Sequence, residues 1–309
     1  MAHVYGPRVA ANPGLDLVRV YNPRLASAEK ATALYGGVAS DDLAATLADD
    51  RVDAVVIATP TDTHLEYIEA CAKAGKPIYC EKPLDMTLER TDRCLEALAA
   101  HPVPFMLGFN RRFDPQIAQL RDAVAGGELG ALRMLQSTSR EPAPPPIAYV
   151  KSSGGYFVDA QIHDIDLMCW IAGERPSEVY AQGSCLVDPQ IGEAGDVDTA
   201  MTILSFPSGA MAWINNCRAC AYGFDQRIEV FGETGLIQTV NRRDDDLIRW
   251  DGARTEARQP LKHFFLERYD ESFGIALEAF RQALVDGRAP QPSDADGRAA
   301  LAVALACDR

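Results

Sequence analysis

The stretch VDAQIHDID, residues 158–166, sets three aspartates and a histidine directly ahead of the apolar run LMCWI. Read as the opening of a helix, it brings Asp159 and His163 to one face, because residues four apart are neighbours on a helix surface. Asp166 lies three further along on the same side. A carboxylate beside an imidazole orients the ring, raises its affinity for a proton and stabilises the cation that forms. That is the equipment of a general base acting on the hydroxyl of a sugar or polyol. The plain alternative is a helix start rich in acids because the dipole favours them there, and Asp164 is assigned to it. A second chemical residue stands in PIYCEKP, residues 77–83. Lys82 falls at the carboxyl end of a buried strand, its direction limited by Pro83. An ammonium there points into the crevice where an open α/β sheet takes its ligand. Alone, a lysine at a strand end would be ordinary surface; the Asp and His stretch is what singles it out.

The elements that must position these groups follow from hydrophobic period. Up to residue 114, short apolar runs (DLVRVYN, VDAVVIATP, PIYCEKP, VPFMLGF) alternate with helical patterns (SAEKATALYG, DDLAATLAD, THLEYIEACAKAG, TLERTDRCLEALAAH). This predicts an α/β, doubly wound, Rossmann-like parallel sheet over residues 1–114. Over 115–309 the texture changes. A helix at 115–127 and the proline-rich EPAPPPIAYVKSSGG lead into strands between about 176 and 250 that follow one another without helices. This predicts an α+β domain with a large open, mostly antiparallel sheet, and helices return at 272–287 and 294–307. An open sheet must cover one face and its edges, so a homo-oligomer, dimer or tetramer, is expected. HFFLERYDESF, 263–273, reads as packing rather than a ligand site.

Composition narrows the function classes. A net charge of −14 argues against a nucleic-acid partner. No apolar stretch approaches the ~18 residues of a membrane span and no signal-like segment opens the chain, so a cytoplasmic protein is expected. The eight cysteines sit in apolar or helical contexts, which indicates reduced thiols. CRAC, 217–220, is the one close pair; with no further ligands at metal spacing it is assigned neither a redox nor a metal role.

PIYCEKPLDMT, GFNRRFDP, GGYFVDAQIHDIDLMCWIAGERP and YGFDQRIEVFGETGLI, in this order, resemble the family of glucose-fructose oxidoreductase and inositol dehydrogenase over nearly the whole chain. The resemblance implies an NAD(P)-dependent dehydrogenase that oxidises a secondary alcohol of a cyclic polyol or sugar, inositol first. It makes Lys82, Asp159 and His163 catalytic and has Arg111, Asp166 and Tyr222 line the polyol pocket. It also sets Thr59, Pro60, Thr61 and His64 against the cofactor, with Glu81 beside the lysine. Another carbohydrate substrate, or a non-catalytic sugar-binding paralogue, are the rival expectations.

Two features depart from the family pattern. The chain opens MAHVYGPRVAANPG, with no apolar strand and no GxGxxG turn to approach a pyrophosphate, so a missing first strand and a trimmed start are expected. The DLVRVYN strand ends in Asn22 rather than an acid, with Arg24 two residues on. Asn22 tolerates either nicotinamide cofactor and Arg24 is read as solvated; NAD is expected by likeness, with NADP close behind.

Overall fold

The computed structural model describes residues 2–309, Ala2 by its backbone alone; Met1, where the sequence reading begins the first helix, lies outside the described residues. In chain order come α1 (Ala2–Ala11), β1 (Arg19–Tyr21), α2 (Leu25–Tyr35), β2 (Val38–Ser40), α3 (Leu43–Leu47), β3 (Val55–Ile57), α4 (His64–Lys73), β4 (Ile78–Glu81), α5 (Leu88–Ala100) and β5 (Phe105–Gly108). Then follow α6 (Pro115–Ala125), β6 (Leu132–Arg140), α7 (Ile147–Val150), α8 (Ile162–Ala172), β7 (Glu178–Ser184), α9 (Pro189–Glu193), β8 (Thr199–Ser205), β9 (Met211–Cys217), β10 (Asp225–Gly232), β11 (Leu236–Gln238), α10 (Phe265–Arg268), α11 (Asp270–Val285) and α12 (Asp294–Cys307). They form two compact units, Met1–Phe113 with Ser272–Leu301, and Asp114–Glu271 with Ala302–Arg309.

Where the sequence assigned all of 115–309 to a second domain, Ser272–Leu301 belongs with the first unit. The cause is aromatic packing that spacing along the chain does not reveal. Phe273 and Phe280 of α11 meet Tyr5 and Tyr79 edge-on, with centroids 6.1 and 5.8 Å apart. Polar ties reinforce this: Asn110 Nδ2 donates to Ser272 Oγ at 3.0 Å, and Arg112 pairs with Asp296 at 3.3 Å. Gly297 allows α12 its close approach, since a Cβ there would come 2.5 Å from Leu107 Cδ2.

All strands of the first unit pair in parallel, and β4 and β5 are buried along their whole length, as a sheet covered on both faces requires. They nevertheless form two sheets, β1–β2 and β3–β4–β5. All three residues of β1 are half-buried.

The second unit holds one six-stranded sheet, ordered β11-β10-β6-β9-β8-β7. Every pair is antiparallel except β6 with β9, which runs parallel. The exception has a topological cause. The chain leaves β6 through α8 to the far edge and returns as the meander β7–β8–β9, whose third strand docks beside β6 in the same direction. Alternation along β8 and β9 turns Ala200, Leu204, Ala212 and Ile214 inward, and Met201, Ile203, Met211 and Trp213 outward.

The acidic start of α8 is pinned by buried hydrogen bonds. Ser137 Oγ donates to Asp164 Oδ1 at 2.6 Å and Asn216 Nδ2 to Asp164 Oδ2 at 2.9 Å. Gln161 donates to Asn216 Oδ1 at 2.6 Å and accepts from Thr202 Oγ1 at 2.7 Å. Asp164 is thus structural, but as a buried clamp rather than a solvated first-turn acid. Asp164→Ala, which strands both donors, is expected to cost about 2–4 kcal/mol in urea unfolding; a loss under about 0.5 kcal/mol, typical of a surface change, would refute the clamp.

Candidate active site

In the first unit the site grows from aligned strand ends. The register pairs Ile57 with Cys80, so the turn after β3 stands beside the end of β4. Thr59 and Thr61 are half-buried and Pro60 is exposed. His64 is the tie between these ends, with Nδ1 2.8 Å from Pro83 O and Nε2 3.2 Å from Thr59 O. It is 1 % exposed and both ring nitrogens face backbone carbonyls, so it ties the two turns together.

Lys82 is half-buried and joined to Pro83 by a cis peptide bond. Its backbone N–H donates to Glu81 Oε2 at 3.2 Å. The Glu81 carboxylate is buried and accepts from the Tyr5 hydroxyl of α1, whose oxygen lies 3.3 Å from that of Tyr79. Burial pushes the Glu81 carboxyl up; the hydrogen bond from Tyr5 and the charge of Lys82 oppose it without cancelling it. Glu81 is therefore a buried support behind Lys82. Arg111 lies in the 3-10 turn Asn110–Phe113 after β5 and is buried. Asn22 and Arg24 sit apart, at the end of β1. Asn22 Oδ1 accepts from the Arg24 N–H at 2.9 Å, and Arg24 is exposed at the N-cap of α2.

In the second unit, the VDAQIHDID stretch does not open as a plain α-helix. Phe157–Gln161 is a π-helical turn that runs into α8. Such wide turns cost hydrogen-bond quality and recur at functional sites. Asp159 is 9 % exposed, with both oxygens engaged: Tyr149 Oη donates to Oδ1 at 2.7 Å and Arg218 Nη2 to Oδ2 at 3.1 Å. Arg218 also donates to Glu141 Oε2 at 3.2 Å and lies over the Tyr156 ring, 4.8 Å from its centroid. Burial works to lower the Arg218 pKa, and the Glu141 and Asp159 carboxylates outweigh it, so the guanidinium stays charged. Desolvation, and then the Asp159 charge, hold the Tyr149 phenol well above its usual value, which keeps it a donor. His163 is half-buried and Asp166 is buried on α8.

Tyr222 bonds to Arg140 and Asp225. It is 54 % exposed, accepts from Arg140 Nη1 at 2.8 Å and donates to Asp225 Oδ2 at 2.8 Å. Tyr5, Tyr149 and Arg218 were missed by sequence reasoning. CRAC drew notice to its cysteines, while the working residue of that motif is the arginine between them.

Residues 1–109 match the model described as oxidoreductase family, NAD-binding Rossmann fold, and residues 117–238 match the GFO/IDH/MocA C-terminal domain. The chain belongs to the GFO/IDH/MocA oxidoreductase family. Inositol 2-dehydrogenase of Rhizobium meliloti (strain 1021) is 42% identical over 309 residues, 99% of this chain and 92% of the relative. A solved putative myo-inositol dehydrogenase from Sinorhizobium meliloti 1021 superposes with a TM-score of 0.94 at 42% identity, covering 98% of this chain and 92% of that one. A scyllo-inositol dehydrogenase from Lactobacillus casei, solved with bound NAD(H) and scyllo-inositol, gives 0.89 at 26% identity, covering 98% and 92%.

Burial holds the His64 imidazole below its ordinary 6.5. With a depressed folded value, its contribution to stability is whole above the unfolded pKa and is lost as pH falls from there to the folded pKa. His64→Gln should therefore flatten the decline in unfolding free energy below about pH 6.5, even though it weakens the fold overall. Equal slopes for variant and wild type in denaturant titrations across that window would contradict this.

Proposed function

We propose that this family member is an NAD-dependent dehydrogenase of a cyclic polyol, with inositol as substrate. The observation that carries the proposal is Asp159, held as a carboxylate by Arg218 and lying four residues ahead of His163, in a chain whose other unit ends a buried strand in Glu81 and Lys82. In this chemistry His163 takes the proton of the substrate hydroxyl, and Asp159 orients that hydroxyl and stabilises the imidazolium. Lys82 stabilises the negative charge that develops on the oxygen. Arg111, Asp166 and Tyr222 are proposed as polyol contacts. The names of the relatives support inositol as the substrate.

The residues present fit the two ends of a dinucleotide. Thr59, Pro60, Thr61 and Lys82 would hold the nicotinamide side and Asn22 the adenosine ribose. NAD, when bound, supplies the acceptor for the carbinol hydride. Asn22 sets no carboxylate against a 2′-phosphate, so NADP belongs in the same assay.

The outward face of the second sheet carries Met134, Tyr180, Met201, Ile203, Met211 and Trp213, each at least 40 % exposed. An apolar stripe of this kind supports self-association into a homo-oligomer. Eight free thiols are in keeping with a cytoplasmic setting.

Assays with myo-inositol, scyllo-inositol and glucose, each with NAD and with NADP, should show the highest kcat/KM for an inositol with NAD. Lys82→Ala and His163→Ala should each lower kcat by at least ~100-fold with unchanged melting temperature. Full turnover in either variant would remove that residue from the mechanism. Trp213→Glu should shift the sedimentation coefficient to that of a smaller species; a monomeric wild type would refute the oligomer.

A further inference from the structure

We propose that Arg218 and Tyr149 are positioning residues for Asp159. The guanidinium and the phenol, one on each carboxylate oxygen, fix the direction in which Asp159 faces a substrate hydroxyl. The inference rests on the dehydrogenase reading and adds two residues to it.

The arrangement is poorly explained as stabilisation. Arg218 is 2 % exposed, and its Nε–H is buried with no hydrogen-bond partner among the described residues. Buried ion pairs are seldom more stabilising than apolar side chains of the same volume, and an unsatisfied donor worsens that balance. What the arrangement provides is rigidity. Arg218 follows β9 and Glu141 follows β6, the one parallel pair of the sheet, and the Glu141 N–H donates to Cys217 O at 2.9 Å. The two strand ends thus set both anchors of the guanidinium, the Tyr156 ring backs it, and one terminal nitrogen is left aimed at Asp159 Oδ2.

Tyr149 approaches from the opposite side. It sits on α7, behind the proline-rich segment, with its ring 48 % exposed and its hydroxyl on Oδ1. An exposed aromatic ring with its one polar atom spent on a buried carboxylate is a contact made for direction. Together the two donors, one on each oxygen, stop rotation about the carboxyl bond and fix the plane of the carboxylate.

The test uses the whole protein and two kinds of measurement. Infrared difference spectra of protein carrying 13C at its aspartate carboxyls, wild type against Arg218→Lys and against Tyr149→Phe, should each show one shifted carboxylate band; no shift in either overturns the proposal. In inositol kinetics, Arg218→Met should lower kcat by about 10- to 100-fold, Arg218→Lys should recover part of the loss, and added guanidinium should rescue Arg218→Met. Tyr149→Phe should raise KM about 3- to 10-fold with kcat within about twofold. Wild-type kcat in both Arg218 variants, or a loss that tracks melting temperature and resists guanidinium, overturns the positioning role. If Arg218→Met does not fold, the lysine and Tyr149 variants decide. Shifted bands in a wild type that oxidises no polyol would leave the contacts standing and remove the dehydrogenase reading instead.

Discussion

A carboxylate can leave water only if donors meet it, and the candidate site is built around that constraint. Asp159, Asp164 and Glu81 are all buried, and each is met differently. Asp164 takes neutral donors from the sheet and serves as a clamp. Asp159 takes a guanidinium on one oxygen and a phenol on the other. Glu81 takes a tyrosine hydroxyl and its neighbour's N–H, which do not offset burial, so its pKa rises. Three acids of similar type thus acquire three characters from their partners alone.

The same constraint explains why the elements lie where they do. The π-helical turn that carries Asp159 is anchored through Gln161 and Asp164 to Asn216, and Asn216 sits two residues before Arg218. The end of strand β9 and the residue just after it therefore supply the clamp that holds the helix and the cation that holds its acid. In the first unit α1 brings Tyr5 to Glu81, and α11 packs Phe273 against Tyr5. The returning helix belongs to the first unit because it backs the residue that supports Glu81.

Much of this was legible in the sequence. Strand and helix alternation up to β5, the antiparallel run after α8 and the buried strand ahead of Lys82 all follow from hydrophobic period over short windows. The acids of 158–166 were visible as a helix start, but their division of labour was not. Asp164 read only as a dipole-favoured acid of a helix start because nothing within one helical turn shows that Ser137 and Asn216 face it. His64 was set beside the cofactor by family likeness, and no local pattern in the sequence shows that its ring nitrogens face the carbonyls of Pro83 and Thr59.

Sequence alone determined the elements, the family motifs and the chemically capable residues, because these depend on local period and on side-chain type. Only the tertiary structure decided which donor meets which oxygen. Arg218 lies 59 positions from Asp159, Asn216 lies 52 from Asp164, and Tyr5 lies 76 from Glu81. Such pairings are set by strand register and helix packing; for the strand residues Asn216 and Glu81, a register shift of one residue would turn the side chain to the opposite face.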